Sequence, residues 1–365
     1  MRFISAFQRA ALGGCALALI LAACNGSQPS ALAPSTGLTD ALVGSHLSPA
    51  LAAKSVAVVP PAVGNHRIVK KWVAADIARA PRLLFASDSG TNSIYIFTLP
   101  ALTLKATVPG FDEPQGMCAD NRTGDIWATN TATEQIFLLS RTGTVLKTVD
   151  DSSGYPVGCA VNPANGNLAV FNIFGFSGSG EVLVYAGGSG TPTPQTITNL
   201  YYYYFGGYDN NGNLFADGRD DSGNFTLGEI PAGSNTGHVI TVTGGTIYFP
   251  GFVQWYAPGN YVAVDDQLCG DTEAACIYWI TIAGSTGTIT GKATLENYGG
   301  GQICDLVQGE IAGNKQGFLA GSDYEYCGYA SGAVNRWLYP AGGLPTNYND
   351  SFGAEVPIGA AVSMK

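Results

Sequence analysis

Charged side chains and histidines are scarce in this chain of 365 residues. Lys, Arg, Asp and Glu together make up 12% of it, and the three histidines are His46, His66 and His238. The first two fall in or beside a stretch of small and polar residues, so a Ser-His-Asp set would depend on His238. No Gly-x-x-x-x-Gly-Lys phosphate loop occurs either. Covalent catalysis, nucleotide chemistry and a multi-histidine metal site are therefore not predicted.

Basic residues are also few. The chain has 17 Lys and Arg against 27 Asp and Glu, which gives a formal net charge of −10. No cluster of basic residues is present to neutralise phosphates, and we predict no nucleic acid partner.

The chain lacks an apolar run long enough to span a membrane, but it begins like an exported protein. Arg2 and Arg9 precede an apolar stretch from Ala10 to Ala23, which is shorter than the about 20 residues that a spanning helix needs. Such a stretch is typical of a signal peptide. It ends in Leu21-Ala22-Ala23-Cys24, which resembles the bacterial lipobox; that resemblance implies cleavage before Cys24 and lipidation of its thiol.

Three regions follow from this beginning. Residues 1–23 are predicted to be a lipoprotein signal peptide. Residues 24–66 are predicted to be a lipidated cysteine followed by a disordered tether, because Ser, Pro, Ala and Gly dominate there. Residues 67–365 are predicted to form one all-β domain. Asn25, rather than Asp, follows the cysteine, so we expect a protein anchored in the bacterial cell envelope, at the outer membrane or on its periplasmic or exterior face.

Six cysteines lie beyond Cys24, and no Cys-x-x-Cys spacing favours zinc. Disulfides in an oxidising compartment are the prediction. Cys269 and Cys276 flank a hairpin turn and are predicted to pair. Cys118 and Cys159 fall one position apart in adjacent copies of a repeat, where alternating faces of the strands aim them at each other. The remaining pair is Cys304 with Cys327.

A short repeat is the most informative feature that is present. Pro114–Asp120, Pro156–Asn162 and Pro357–Ser363 match one another, and strands with a terminal Asp or Asn recur about every 40 to 60 residues. Four short strands per period are typical of propeller blades. The last copy has no strands after it, as expected if the two chain ends share a blade. The prediction is a six-bladed β-propeller closed by pairing of the C-terminal strand with the first blade; a two-domain β-sandwich, the alternative, would not explain the isolated last repeat.

Residues 88–97, Asp-Ser-Gly-Thr-Asn-Ser-Ile-Tyr-Ile-Phe, are similar to the core of NHL repeats. The domain as a whole resembles the NHL and regucalcin/gluconolactonase-like six-bladed propellers, including bacterial envelope lipoproteins of that shape. The resemblance is specific for fold and weak for function, because this architecture supports both enzymes and binding scaffolds.

That resemblance implies a candidate calcium site. Regucalcin-like lactonases use a Glu from one blade with Asn and Asp from others, and the matching positions here are Glu113, Asn130, Asn172 and Asp217. Calcium takes six to eight oxygen ligands. The other interpretation is that an Asp or Asn at a strand end bonds the backbone of its own turn.

An aromatic run, Tyr201–Phe205, falls where an inner strand is expected, and Phe249–Tyr256 falls at the equivalent place in the next copy. Alternation predicts that half of these rings pack between blades while the rest line the mouth of the channel. Rings beside amides are typical of sugar and peptide sites. The predicted ligand-binding residues are Tyr202, Tyr203, Gln254, Trp255, Gln115 and Gln302.

Three functions remain open from the sequence. The preferred one is a non-catalytic, lipid-anchored module that needs no cofactor and binds an envelope protein, peptide or glycan. The second is a calcium-dependent hydrolase of lactones or esters, and the third is a purely structural envelope protein.

Overall fold

The computed structural model describes residues 70–151, 153–175, 178–269, 275–296, 306–313, 317–323 and 332–364. Helix within these ranges is limited to three single 3₁₀ turns, at Ile77–Arg79, Thr131–Thr133 and Ala186–Gly188. None of the described helices has the length and apolarity to cross a membrane.

The described residues form strands that follow one another along the chain with short connections. Those of the first half are β1 (Trp72–Val73), β2 (Arg82–Asp88), β3 (Ser93–Thr98), β4 (Leu104–Pro109), β5 (Pro114–Asp120), β6 (Asp125–Asn130), β7 (Gln135–Leu139), β8 (Val145–Asp150), β9 (Gly154–Val161), β10 (Leu168–Gly175), β11 (Glu181–Tyr185) and β12 (Thr193–Ile197). Those of the second half are β13 (Tyr202–Tyr208), β14 (Leu214–Arg219), β15 (Phe225–Ile230), β16 (Thr236–Thr243), β17 (Pro250–Tyr256), β18 (Tyr261–Asp266), β19 (Cys276–Ala283), β20 (Thr286–Thr294), β21 (Leu306–Ala312), β22 (Gly317–Asp323), β23 (Ala333–Tyr339), β24 (Asn347–Asn349) and β25 (Pro357–Met364).

These strands form six antiparallel blades. Blades 2 to 6 are consecutive sets of four, from β5–β8 through β21–β24, whereas blade 1 has the order β1-β4-β3-β2-β25. The C-terminal strand therefore pairs with β2, with Leu84 opposite Val362. The innermost strands contact one another in the closed series β25, β5, β9, β13, β17, β21 and back to β25. The predicted propeller and its closure by the last strand are both confirmed.

The glycine of the repeat has a packing reason. A Cβ on Gly116 would overlap the carbonyl oxygen of Val157, and one on Gly158 would overlap that of Tyr204. In the last copy, a Cβ on Gly359 would overlap the carbonyl of Gln115. Each inner strand thus lies against the backbone of the inner strand that follows it in the ring, and only glycine leaves room for that approach.

Blades 3, 4 and 5 are also joined at their outer edges. The outer strand β16 pairs in parallel with β12, through Thr196 and Thr236, and with β20, through Thr241 and Thr286. Edge pairing of this kind satisfies backbone groups that an open sheet edge would leave exposed.

Two predicted disulfides are confirmed. Cys118 on β5 bonds Cys159 on β9, with Cα atoms 5.6 Å apart, and so links the inner strands of blades 2 and 3. Cys269 bonds Cys276 across the hairpin of blade 5, with Cα atoms 5.3 Å apart. The third predicted pair, Cys304 with Cys327, lies outside the described residues, as do Cys24 and the predicted signal peptide and tether.

Candidate functional site

The channel at the centre of the ring has two ends, which we call front and back. Inner strands begin at the front, and the second strand of each blade ends there. Inner strands end at the back. The predicted calcium ligands all lie at the front.

The repeated Asp and Asn residues hold the connections that lead into the inner strands. Asn130 accepts a hydrogen bond from the backbone N–H of Asp112 at 2.8 Å through its Oδ1. Asp217 accepts one from the N–H of Phe205 at 3.0 Å and one from that of Gly251 at 3.1 Å. These oxygens therefore anchor the backbone of the connections that lead into the inner strands. The alternative interpretation expected bonds to the backbone of each residue's own turn instead.

In blades 1 and 3 the corresponding residues also hold the connection before an inner strand, through backbone in blade 1 and through a side chain in blade 3. Asp88 accepts hydrogen bonds from the backbone N–H groups of Glu355 at 2.8 Å and Val356 at 3.0 Å, just before β25. Asn172 donates to the carboxylate of Asp151 at 3.0 Å, just before β9. Anchoring of the front connections is thus a property of the repeat.

Burial dominates the electrostatics of these carboxyl groups. Desolvation raises the pKa of Asp217 well above its ordinary value, although hydrogen bonds from backbone N–H groups oppose the shift. It raises the pKa of Asp151 to about 6, against the opposing hydrogen bonds from Ser153 and Asn172. Among the described residues, no group of three or more His, Cys, Asp or Glu side chains is placed to hold a metal ion. The calcium site remains a prediction.

Aromatic and aliphatic side chains fill the front of the channel. The cluster draws on the inner-strand beginnings of blades 3 to 6 and blade 1, and its buried members are Val157, Ile173, Tyr204, Phe205, Phe249, Leu268, Val307 and Ile358. The guanidinium of Arg219 lies 4.2 Å from the centre of the Phe249 ring and is almost completely buried. Stacking of this cation on the aromatic face partly offsets its loss of water.

The aromatic run does not alternate as the sequence predicts. Tyr203, Tyr204 and Phe205 are all buried, because a β-bulge separates the pairs that Tyr203 and Gly206 form with β14. A bulge inserts an extra residue and resets the alternation of faces. Tyr203 bonds the backbone of Ile197 through its hydroxyl, so it supports the surface from below and presents little of itself to a ligand. Gln115 is likewise fully buried.

A groove of about 530 Å³ opens at the front beside this run; we call it the front groove. Its lining comes from the connections of blades 3 and 4: Ser179, Gly180, Thr196, Ile197, Thr198, Asn199, Leu200, Tyr201, Tyr203, Asp220 and Asp221. Asn199 has a left-handed backbone (φ 67°), which turns the chain into β13. Tyr201 and Tyr202 meet edge to face, with ring centroids 4.9 Å apart. The groove therefore combines the half-exposed ring of Tyr201, which contacts Tyr202, with carboxylate, amide and hydroxyl groups.

A second cavity, the back pocket, occupies the other end of the channel and has a volume of about 230 Å³. The carboxyl-terminal halves of all six inner strands contribute to it, including Met117, Ala119, Cys159, Gly207, Tyr208, Gln254, Trp255, Gln308, Glu310 and Ala360. Gln254 and Trp255 are the fifth and sixth residues of β17, so the structure places them at the opposite end from Tyr202. The five predicted ligand residues that the structure describes are therefore not brought together, and Gln302 lies outside the described residues.

Two glutamines of the back pocket bind backbone across the ring. Gln254 accepts from the N–H of Ile311 and donates to its carbonyl, both at 2.8 Å. Gln308 accepts from Met117 at 2.8 Å and Ala360 at 3.0 Å, and donates to the carbonyl of Met117 at 2.7 Å. These amides connect blade 5 to blade 6, and blade 6 to blades 1 and 2.

Glu310 is the acidic residue of this pocket, and sequence reasoning missed it. Its carboxylate accepts a 2.6 Å hydrogen bond from the N–H of Val362, and burial raises its pKa to about 7. The side chain still borders the cavity and is half-buried. A single acid within the otherwise uncharged run Leu306–Ala312 was the available signal.

Comparisons with known proteins show the fold alone. The structure is similar to a chain from the crystal structure of a nidogen/laminin complex, with 13% identity and a TM-score of 0.57 over 78% of this chain and 98% of that one. It is also similar to a protein of unknown function from Bacteroides caccae, with 13% identity and a TM-score of 0.55 over 78% and 100%. No family model matches the sequence. No curated protein matches it either.

Proposed function

We propose that this protein is a lipid-anchored, extracytoplasmic β-propeller that binds an envelope protein, peptide or glycan in its front groove. The observation that carries the proposal is the half-exposed pair of Tyr201 and Tyr202 at a groove lined with Asp220, Asp221 and Asn199. Rings provide stacking surface, while the polar groups orient a ligand that has its own donors and acceptors.

The size and charge of the groove fit a short polar segment of a larger partner. Its volume of about 530 Å³ lies within the roughly 300–1,000 Å³ that is usual for ligand sites. Asp220 and Asp221 line the groove, and Asp221 is exposed. Their carboxylates accept hydrogen bonds, so the groove favours a partner that offers hydroxyl or amide donors. One structural neighbour comes from a complex between two proteins, which is compatible with a binding role for this fold.

The cellular location that we propose rests on the lipobox-like segment before Cys24 and on the disulfides. Two disulfides in the described residues suit an oxidising compartment. Cys24→Ser should move the protein from the membrane fraction to the soluble fraction of cells. Persistent membrane association of that variant would overturn the anchor.

The binding role can be tested on the purified protein with a panel of soluble envelope oligosaccharides and peptides, by isothermal titration calorimetry. We expect Tyr201→Ala to weaken a bound member of the panel by about tenfold or more, since one aromatic contact contributes about 0.5–1.5 kcal/mol beyond its buried area. Trp72→Ala is the matched control, because Trp72 is an exposed aromatic on the outer strand of blade 1. An equal loss of affinity in both variants would contradict binding in the front groove.

A further inference from the structure

We propose that the back pocket is a second binding site, independent of the front groove, and that it takes a small organic cation with Glu310 as the counter-ion. The expected ligand is a protonated amine with a compact apolar body. This inference would stand even if the front groove binds nothing.

The charge of the back pocket favours a cation. The described lining of the back pocket contains no Lys, Arg or His side chain, and Glu310 is its one acidic group. Removing a carboxylate from water is costly unless a positive charge or several hydrogen bonds compensate. Among the described residues, Glu310 receives one hydrogen bond, from Val362, so a cation in the cavity would compensate its charge further.

Among the described residues, the strands packed around β21 do not supply that charge. Strands β17 and β25 contain no ionisable side chain apart from the terminal Tyr256 of β17. At the end of β5, Asp120 is already paired with Arg122 at 2.8 Å. On β22 the charged residue is Asp323, at the front end of the strand. Tyr208 faces the same cavity, but burial raises its pKa, so it stays protonated at neutral pH.

Glu310 differs in charge from the two neighbouring residues that make similar contacts. Gln254 and Gln308 also bind the backbone of the next inner strands, and both do so with uncharged amides. A glutamine at position 310 would accept the hydrogen bond from Val362 equally well, without the cost of burying a charge. The hydrogen bond to the backbone of Val362 therefore explains why a polar side chain is present at position 310, but not why that side chain is acidic.

The size and the surface of the back pocket also fit a small organic cation. An apolar cavity of about 150 Å³ accommodates benzene, so about 230 Å³ corresponds to a ligand of about nine non-hydrogen atoms. Trp255 and Tyr208 provide aromatic surface, which favours cations as well as apolar groups. A calcium ion would need six to eight oxygens, and a single carboxylate does not meet that need.

Three probes of nearly equal shape test the inference on the full protein: benzylamine, benzyl alcohol and benzoate. The measurement is calorimetric titration together with the change in tryptophan fluorescence. We expect benzylamine to bind at least tenfold more tightly than benzyl alcohol, and benzoate not to bind measurably. Equal binding of the amine and the alcohol would overturn the proposal, and so would no binding of benzylamine up to ~50 mM.

A variant and a pH series locate the charge. Glu310→Gln preserves the acceptor for Val362 and should reduce the affinity for benzylamine about tenfold, while that for benzyl alcohol stays the same. In the unaltered protein, benzylamine should bind about tenfold more tightly at pH 8 than at pH 6, because a group with a pKa of about 7 is mostly ionised only at the higher pH. The pH series requires no variant to fold. Affinity that is unchanged by both the substitution and the pH would exclude Glu310 as the counter-ion.

Discussion

The two ends of the channel are built from the same six strands but differ in what fills them. At the front, large side chains such as Tyr204, Phe249 and Ile358 close the centre. At the back, Ala119, Gly207 and their neighbours leave a pocket of about 230 Å³. The size of the side chains at each end of this channel therefore decides whether that end is closed or holds a cavity for a small ligand.

The difference between the ends should appear first in stability. Phe249→Ala removes a fully buried ring and the surface on which Arg219 stacks, so we expect the free energy of unfolding to fall by about 3–5 kcal/mol. Trp255→Ala at the back should cost about half as much, because that ring is half-buried beside an open pocket. Urea unfolding of both variants measures the contrast, and equal losses would contradict it.

The anchors of the front should make stability depend on pH. Burial places the pKa of Asp151 at about 6 when folded, against 3.8 ordinarily, so the folded protein holds this proton more tightly than the unfolded chain does. The contribution of Asp151 to the free energy of unfolding is therefore present at low pH. It falls by up to about 3 kcal/mol as the pH rises from about 4 to about 6. Asp151→Asn should lack this loss when unfolding is compared across the same range. Parallel curves for the variant and the unaltered protein would refute the assignment.

A smaller loss of stability is expected where inner strands approach each other closely inside the ring. Gly158→Ala places a methyl group against the carbonyl of Tyr204, and we expect a loss of about 1–3 kcal/mol from overpacking. Gly245→Ala is the control, since a Cβ there meets only the flexible end of Ile289 at 3.1 Å. Thermal unfolding that does not distinguish the two substitutions would mean that the ring yields at Gly158.

Calcium should have the smallest effect. The oxygens of Asn130 and Asp217 already accept hydrogen bonds from backbone N–H groups, so we expect millimolar calcium to change the free energy of unfolding by less than about 0.5 kcal/mol after chelation. A site filled at 100 times its Kd would instead add about 2.7 kcal/mol, which a shift in Tm would reveal. Such a shift would support the hydrolase of lactones or esters instead.

The repeat in the sequence was sufficient to predict the blades, the closing strand and both described disulfides. Those predictions depend on spacing along the chain, which a repeat displays directly. Which residues line each site depends also on bulges and on where each strand begins. A bulge near the beginning of β13 buries Tyr203 and Tyr204 together, and the true beginning of β17 at Pro250 puts Gln254 at the back. Alternation counted along an aromatic run cannot reveal a bulge, since the extra residue changes no residue type.

The first and last described strands of the chain both belong to blade 1, at opposite edges of its sheet. On the outer edge of blade 1, β1 pairs with β4 through Trp72 and Val73. The N–H of Ala74 also donates to the carbonyl of Lys105 at 2.7 Å, and Asp76 forms an ion pair with Lys105. The closing strand lies at the inner edge of the same blade. Tension applied through the residues before Trp72 would therefore act first on this short outer strand and not on the strand that closes the ring.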